Sequence, residues 1–457
     1  MKLIKIRSEG LAHISYLLIS ENQACVIDPR RDAKIYIKKA YENDADIKYV
    51  FETHRNEDYI IGSLELVDIM DLDIYHGPGL EWEYGKTLKD GQVFHLGGLR
   101  LEVLLTPGHT DESVSYAVYD TITDTGDDAV LVFTGDALFV GDVGRTDMYG
   151  REEDRRMAEN LYNSLFNKIL PLGDQAIVCP AHGAGSVCGG NISEREDTTI
   201  GLERKHNKPL QIKDKEEFIK YKINEHHYFL PYFKKMEEYN LKGAPLLKDV
   251  PRFKPMNPKE FMEKIDEAVI LDTRNPDSFG AAHIKDSYNI WLEGLASFAG
   301  WFLPYDKPLL LVVKNFNNLN EAHKRLLRIG YDNLAGYLIG GITSWYSNNF
   351  PIESNGLLTA RDLKDRMDQD INTFILDVRS IDERKEGYIE GSKHIYVGEL
   401  EKQINQVPKD TPIATLCGNG SRASLGTSIL KRGGFQEVYT VLGSMKAWKK
   451  SQYPIVK

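Results

Sequence analysis

The C-terminal part of this chain repeats itself. Residues 269–290, VILDTRNPDSFGAAHIKDSYNI, are answered by residues 374–395, FILDVRSIDERKEGYIEGSKHI. Asp377 follows Asp272 by 105 positions (377 − 272), and the offset persists through Ile284 and Ile389, then Ser287 and Ser392. Further on, RIGYDNLAGYLIGGITSW is matched by RGGFQEVYTVLGSMKAW. Such a period is too long for a solenoid unit and is the size of a small domain, so two copies of one fold are expected. In each copy a short apolar burst (269–271, 374–376) ends in Asp-x-Arg, and a helical pattern (321–329, 422–431) is followed by another short strand. That alternation predicts an α/β domain with a parallel sheet covered by helices.

The remaining length sets the domain count. A chain of 457 residues accommodates about three domains, and the reading places them at 1–245, 246–356 and 357–457. Segment 191–249, rich in charge and aromatics, is expected to complete the first domain. A net charge of −11 disfavours a non-specific hold on nucleic acid or an anionic membrane, because both require clustered Lys and Arg. The opening MKLIKIRSEG has no apolar signal core, and no apolar run is long enough to span a bilayer. Four cysteines (Cys25, Cys179, Cys188, Cys417) in a chain this long do not make a disulfide framework. A cytoplasmic protein with reduced thiols is the expectation, and homo-oligomerisation is left open.

The N-terminal part carries four loops, each after an apolar strand. YVFETHRNEDY delivers His54, Asn56, Asp58 and Tyr59 ahead of a helical pattern over 60–70. LRLEVLLTPGHT delivers His109, AVLVFTGDALF delivers Asp136, and AIVCPAHGAGS delivers His182. Histidines and carboxylates gathered at strand ends predict a metal site, since imidazole and carboxylate are common ligands of zinc and iron.

The order T-H-x-N-x-D, T-P-G-H-T, T-G-D-A-L-F, P-A-H-G resembles the metallo-β-lactamase fold, an αβ/βα sandwich. LFVGDVGRTD, with Arg145, is similar to its persulfide dioxygenase branch, a neighbour of the glyoxalase II hydrolases. The departures matter more. Dinuclear hydrolases of this family use H-x-H-x-D-H, whereas Asn56 and Tyr59 stand here at two of the histidine positions. Carried over by position, the first metal site keeps His54, His109 and Asp136. The second would have Asp58, His182 and a share of Asp136, with Tyr59 where an imidazole is expected. A phenol is a poor neutral-pH ligand, so a full dinuclear zinc centre is disfavoured. Two histidines and one carboxylate are the composition of the facial triad of non-haem Fe(II) oxygenases. The resemblance likewise implies one mononuclear Fe(II) on these three residues. Asn56, Asp58, Tyr59, Arg145, His182 and Cys188 are then candidates to orient ligands or substrate.

Other histidines and cysteines take plainer readings. His226 and His227, in an aromatic stretch read as helical, are packing or surface residues. His76 and His95 lack partners at ligand spacing, and His283 is answered by Tyr388 in the last repeat, so no shared chemistry needs it. Cys25 is a buried strand cysteine. Cys188 follows the His182 loop closely enough to line the same pocket, and its sequence context is equally compatible with packing or sulfur relay.

In the last repeat, TPIATLCGNGSRASLG runs a strand into Cys417, then a loop with Gly418 and Gly420, then Arg422 at a helix start. Successive backbone N–H groups at a helix N-terminus favour an anion, here a thiolate or persulfide on Cys417. Arg422 is expected to close the cradle. C-x-x-G-x-R resembles the active-site loop of rhodaneses, and Asp377-Val-Arg379 resembles their strand-end motif. The matching stretch of the middle repeat, LLLVVKNFNNLNEAHK, has no cysteine, so that copy reads as a rhodanese-like structural or docking domain.

Three functions compete. The first is a persulfide dioxygenase with an attached sulfurtransferase, using a low-molecular-weight thiol persulfide, O2 and sulfite. The second is a glyoxalase II-like hydrolase with accessory rhodanese domains, and the third a non-catalytic sulfur carrier. The first unites both halves in sulfane-sulfur chemistry and is preferred.

Overall fold

The computed structural model describes residues 1–123 and 128–457. Contacts divide the chain into two compact units, Met1–Asp249 with Arg328–Gly330, and Val250–Leu327 with Tyr331–Lys457.

The first unit is built on two sheets. One runs in chain order through β1 (Lys2–Ser8), β2 (His13–Ser20), β3 (Gln23–Ile27), β4 (Asp46–Phe51), β5 (Asp73–His76) and β6 (Lys86–Thr87). The other holds β7 (Val93–Leu96), β8 (Leu99–Leu105), β9 (Val114–Asp120), β10 (Leu131–Gly135) and β11 (Ile177–Pro180), in the order β11-β10-β9-β8-β7. Alternation along β8 points Leu99, Leu101 and Val103 into the space between the sheets. There they meet Tyr16, Phe51, Tyr116 and Phe133, all buried. Burying each such side chain contributes about 1.5–3 kcal/mol.

Helices seal both outer faces. Lys34–Tyr41 and Ser63–Ile69 cover the first sheet with Tyr36, Ala40 and Leu66. Asp154–Ser164 and Lys215–Ile223 cover the second with Leu161 and Phe218. The result is the expected αβ/βα sandwich. Residues 226–227 are not helical, contrary to expectation. His227 instead contacts Glu225 at 3.1 Å and His226 sits edge-on to Tyr228.

The second unit contains the two repeats, each with a five-stranded parallel sheet. The first comprises β12 (Lys254–Met256), β13 (Val269–Asp272), β14 (Tyr288–Asn289), β15 (Leu309–Val312) and β16 (Leu334–Leu338), ordered β12-β16-β15-β13-β14. The second comprises β17 (Gly356–Thr359), β18 (Phe374–Asp377), β19 (Lys393–His394), β20 (Ile413–Leu416) and β21 (Val438–Leu442), ordered β17-β21-β20-β18-β19. The two orders are the same, and β13, β15 and β20 are buried along their whole length, as sheets covered on both faces require.

The Asp-x-Arg motif has a structural meaning in both copies. Arg274 folds back onto Asp272 at 2.5 Å and donates to the carbonyl of Ala282. Arg379 does the same with Asp377 at 2.6 Å and Gly387. Each clasp ties a strand end to the segment after it. Asn289 joins the copies, accepting from Ser424 Oγ at 2.5 Å. Among the described residues no helix is long and apolar enough to cross a membrane.

Candidate metal centre and sulfur-transfer loop

The four loops singled out in the N-terminal part all leave C-terminal strand ends. His54 follows β4, His109 follows β8, Asp136 follows β10 and His182 follows β11. Two glycines let them converge. Gly135 lies at φ 52°, and a Cβ there would meet Thr53 at 2.8 Å; a Cβ on Gly144 would come within 2.0 Å of the Asp136 carbonyl.

All three expected ligands are fully buried and face one another. His54 Nε2 lies 3.7 Å and His109 Nε2 3.6 Å from Asp136 Oδ2. Both imidazoles are oriented from behind. Thr53 donates its hydroxyl to Asp28 Oδ2 at 2.7 Å, which leaves Thr53 Oγ1 to accept from His54 Nδ1 at 2.9 Å. His109 Nδ1 donates to the Arg145 carbonyl at 3.0 Å. With the proton on Nδ1, each Nε2 presents a lone pair inward, the arrangement metal-ligating histidines take. Neither Nε2 has a hydrogen-bond partner, although both are buried. These residues fit a metal ion.

His182 sits between two carboxylates, with Nδ1 2.8 Å from Asp136 Oδ1 and Nε2 3.0 Å from Asp58 Oδ2. Burial pushes the Asp136 carboxyl upward, but the charges of His182, His54 and His109 outweigh it and hold the group well below the usual carboxylate range. Asn56 lies in the left-handed region (φ 39°), which Asn tolerates better than most residues, and its Nδ2 donates to the His54 carbonyl at 3.0 Å. Tyr59 stacks on His13 with ring centroids 3.9 Å apart. Burial, then the charges of Asp28 and Asp58, push its phenol well above its ordinary value, so it stays neutral.

Arg145 acts differently from a substrate-binding cation. Its guanidinium is buried against Asp147 (2.6 and 2.8 Å) and the carbonyls of Val187 and Tyr228, and its backbone meets the centre, the carbonyl through His109 and the N–H through the Cys188 carbonyl.

Three residues gain weight from the structure. Glu57, passed over within the first loop, is 2% exposed, with Oε1 2.7 Å from His109 Nε2 and Oε2 3.9 Å from His54 Nε2. Burial raises its pKa, but His109 and His54 bring it down to about 2, while Glu57 lifts His109 to about 9 against burial. Cys188, fully buried, places Sγ 3.6 Å from Glu57 Oε1. It shares one potential ligand group with Glu57, His109 and Asp136 and another with Asp58 and His182, the ligand atoms of each within 4.8 Å of one another. The second site is therefore better furnished than Asp58 and His182 alone suggested. Asn240 was likewise missed; its side chain bonds the backbone of Arg55, Asn56, Tyr59 and Ile61.

In the second unit, Cys417 directly follows β20 and is buried. The N–H of Gly420, at φ 112°, donates to Cys417 Sγ at 3.1 Å, and the Cys417 N–H is held by Ser444 Oγ at 3.0 Å. Gly418 packs beside Arg422, where a Cβ would lie 3.1 Å from the guanidinium. The Arg422 guanidinium, expected to close the cradle, is engaged by a carboxylate. Glu383 takes it in a two-pronged pair at 2.5 and 2.7 Å. The Glu383 carboxyl, which burial would raise, is thereby held down at about 2. In the middle repeat Val313 follows β15 where Cys417 follows β20. That repeat still contributes to the site: a cleft of about 620 Å³ is lined by Asn275, Trp291 and Glu293 from it and by Asn419, Gly420 and Ser421 from the last.

Comparison with known proteins agrees with this division. The metallo-beta-lactamase superfamily matches residues 10–182, and the rhodanese-like domain matches 257–348 and 359–451. The chain is 30% identical over 191 residues to the probable metallo-hydrolase YqgX of Bacillus subtilis, covering 37% of this chain and 84% of that protein. It is 27% identical to the hydroxyacylglutathione hydrolase GloC of Haemophilus influenzae, over 42% of this chain and 90% of the relative. A metallo-beta-lactamase structure from Staphylococcus aureus superposes with a TM-score of 0.66 at 27% identity, over 74% of this chain and 98% of that one. The chain belongs to the metallo-beta-lactamase superfamily through its N-terminal unit, which is followed by two rhodanese-like domains.

Proposed function

We propose that this protein is a non-haem iron dioxygenase that oxidises low-molecular-weight thiol persulfides to sulfite, joined to a sulfurtransferase centred on Cys417. The observation that carries the reading is the donor set. Two inward-facing imidazoles and the Asp136 carboxylate stand together, while Tyr59 is a neutral phenol stacked on His13. His54, His109 and Asp136 would hold Fe(II), which supplies O2 activation when bound. Asp28 with Thr53, the Arg145 carbonyl and His182 fix the orientation of those side chains, and the loop around them excludes bulk water. The overall change balances as R–S–SH + O2 + H2O giving R–SH and sulfurous acid. At the second centre the Gly420 N–H stabilises the sulfur anion on Cys417. Sulfane sulfur carried there passes to sulfite, releasing the Cys417 thiolate and thiosulfate.

A second reading has its own support. The Asp58, His182 and Cys188 group offers a carboxylate, an imidazole and a thiol, donors that zinc accepts. The likeness to a hydroxyacylglutathione hydrolase favours it equally. On that reading the N-terminal unit is a dinuclear thioester hydrolase. Elemental analysis of the purified chain, with O2 uptake measured on a persulfide and hydrolysis on a glutathione thioester, separates the two. One iron per chain with persulfide-dependent O2 uptake supports the dioxygenase. Two zinc ions with thioester hydrolysis and no O2 uptake overturn it.

A further inference from the structure

We propose that Glu57 is a fourth protein donor to the metal ion held by His54, His109 and Asp136, an inference that rests on the metal centre of the preceding reading. The first observation is the contact with His109. Its Nδ1–H is already given to the Arg145 carbonyl at 3.0 Å, so a neutral ring has no proton on Nε2 to offer Glu57. Yet Glu57 Oε1 stands 2.7 Å from that Nε2, without hydrogen-bond alignment, since Nε2 has no hydrogen-bond partner. Such a contact requires a cation shared between the two atoms, either the second proton of a charged His109 ring or a metal ion, and the missing hydrogen-bond alignment favours the metal ion.

The second observation is the spacing of the whole group. Ligands on bonds of about 2.1 Å lie about 3.0 Å apart at a right angle and about 3.4 Å apart at a tetrahedral one. The four contacts are 2.7 Å for Glu57 with His109, 3.6 Å for His109 with Asp136, 3.7 Å for His54 with Asp136, and 3.9 Å for His54 with Glu57. They link the four side chains in a ring that closes through both Glu57 oxygens, Oε1 towards His109 and Oε2 towards His54. The left-handed turn at Asn56 returns the chain so that His54 and Glu57 face the same point.

Two carboxylates and two imidazoles make a neutral centre with a divalent ion. An ion held by these four groups would supply O2 activation and a site for the persulfide. Cys188 Sγ, 3.6 Å from Glu57 Oε1, borders the same carboxylate.

The test is anaerobic metal binding by the full chain, read by competition with a chelator for Fe(II) and by the visible spectrum after loading with Co(II). Glu57→Gln keeps the shape and a hydrogen-bonding carbonyl but removes the charge. It should weaken Fe(II) binding by more than about 100-fold, beyond the ~10–100-fold typical of a group that only orients a ligand. It should also change the Co(II) spectrum. Glu57→Asp should recover part of the affinity. Unchanged affinity and an unchanged Co(II) spectrum in Glu57→Gln overturn the inference while leaving the dioxygenase reading in place. If the Gln variant does not fold, as judged by circular dichroism, Glu57→Asp decides: an altered Co(II) spectrum supports the inference and an unaltered one overturns it. Wild-type protein that takes up two zinc ions and shows no O2 chemistry defeats the dioxygenase reading instead, and the Co(II) comparison still reports on Glu57.

Discussion

Asn240 Nδ2 donates to the carbonyl of Asn56 at 2.6 Å, and the same side chain accepts from the Ile61 N–H at 2.9 Å. A helix far along the chain (Phe233–Lys242) thereby holds the loop that carries His54, Glu57 and Asp58. Asn240→Ala should leave several buried backbone groups without partners, at about 1–3 kcal/mol each where water cannot replace the bond. Destabilisation on the order of 3 kcal/mol is expected, with weaker metal binding. Thermal unfolding and metal titration check both; a variant as stable as wild type that holds metal as well would remove Asn240 from the site's support.

Asp136→Ala should abolish metal retention and persulfide-dependent O2 uptake together, because it removes a buried anion that three imidazoles face. Normal O2 uptake in this variant would place the reactive metal elsewhere.

Thr53→Val keeps the volume but breaks the path from Asp28 to His54. Iron affinity should fall about 10–100-fold, as for other groups that orient a ligand. An unchanged dissociation constant would show that packing alone sets the His54 ring.

Cys417→Ser should leave O2 uptake intact and shift the sulfur product from thiosulfate to sulfite, since a hydroxyl without an activating base is a weak nucleophile. Product analysis by chromatography reads this directly. Loss of O2 uptake would make Cys417 an obligatory carrier, and unchanged thiosulfate would assign the transfer to Cys188 or to free thiols.

The Glu383–Arg422 pair gives a pH signature. The Glu383 carboxyl lies at about 2 rather than near 4.5, so its contribution to stability is fully present above about pH 4.5 and is lost as pH falls towards 2. The difference in melting temperature between wild type and Glu383→Gln should be largest near pH 6 and shrink between pH 4.5 and 3. A gap that stays constant over that range would mean that the ion pair does not carry it. Releasing Arg422 beside the Cys417 loop should also lower KM for sulfite in sulfur transfer.

Much of this molecule was legible in the order of its residues. Alternation and buried runs located the strands, because side-chain burial follows local periodicity. The repeat located two copies of one parallel-sheet fold, and the loops bearing His54, His109, Asp136, His182 and Cys417 lie at strand ends as their patterns predicted. Tertiary structure alone decided what stands around those residues. Glu57 faces the centre because Asn56 adopts a left-handed turn, and the direction of a loop side chain depends on a backbone angle that composition does not encode. Asn240 and Glu383 act on groups 184 and 39 positions away. Arg422 lies beside the Cys417 loop, yet a competing carboxylate, not its position in the motif, determines where its guanidinium points. Spacing along a chain carries local geometry, whereas electrostatic partnership is settled by which charges the fold brings within reach.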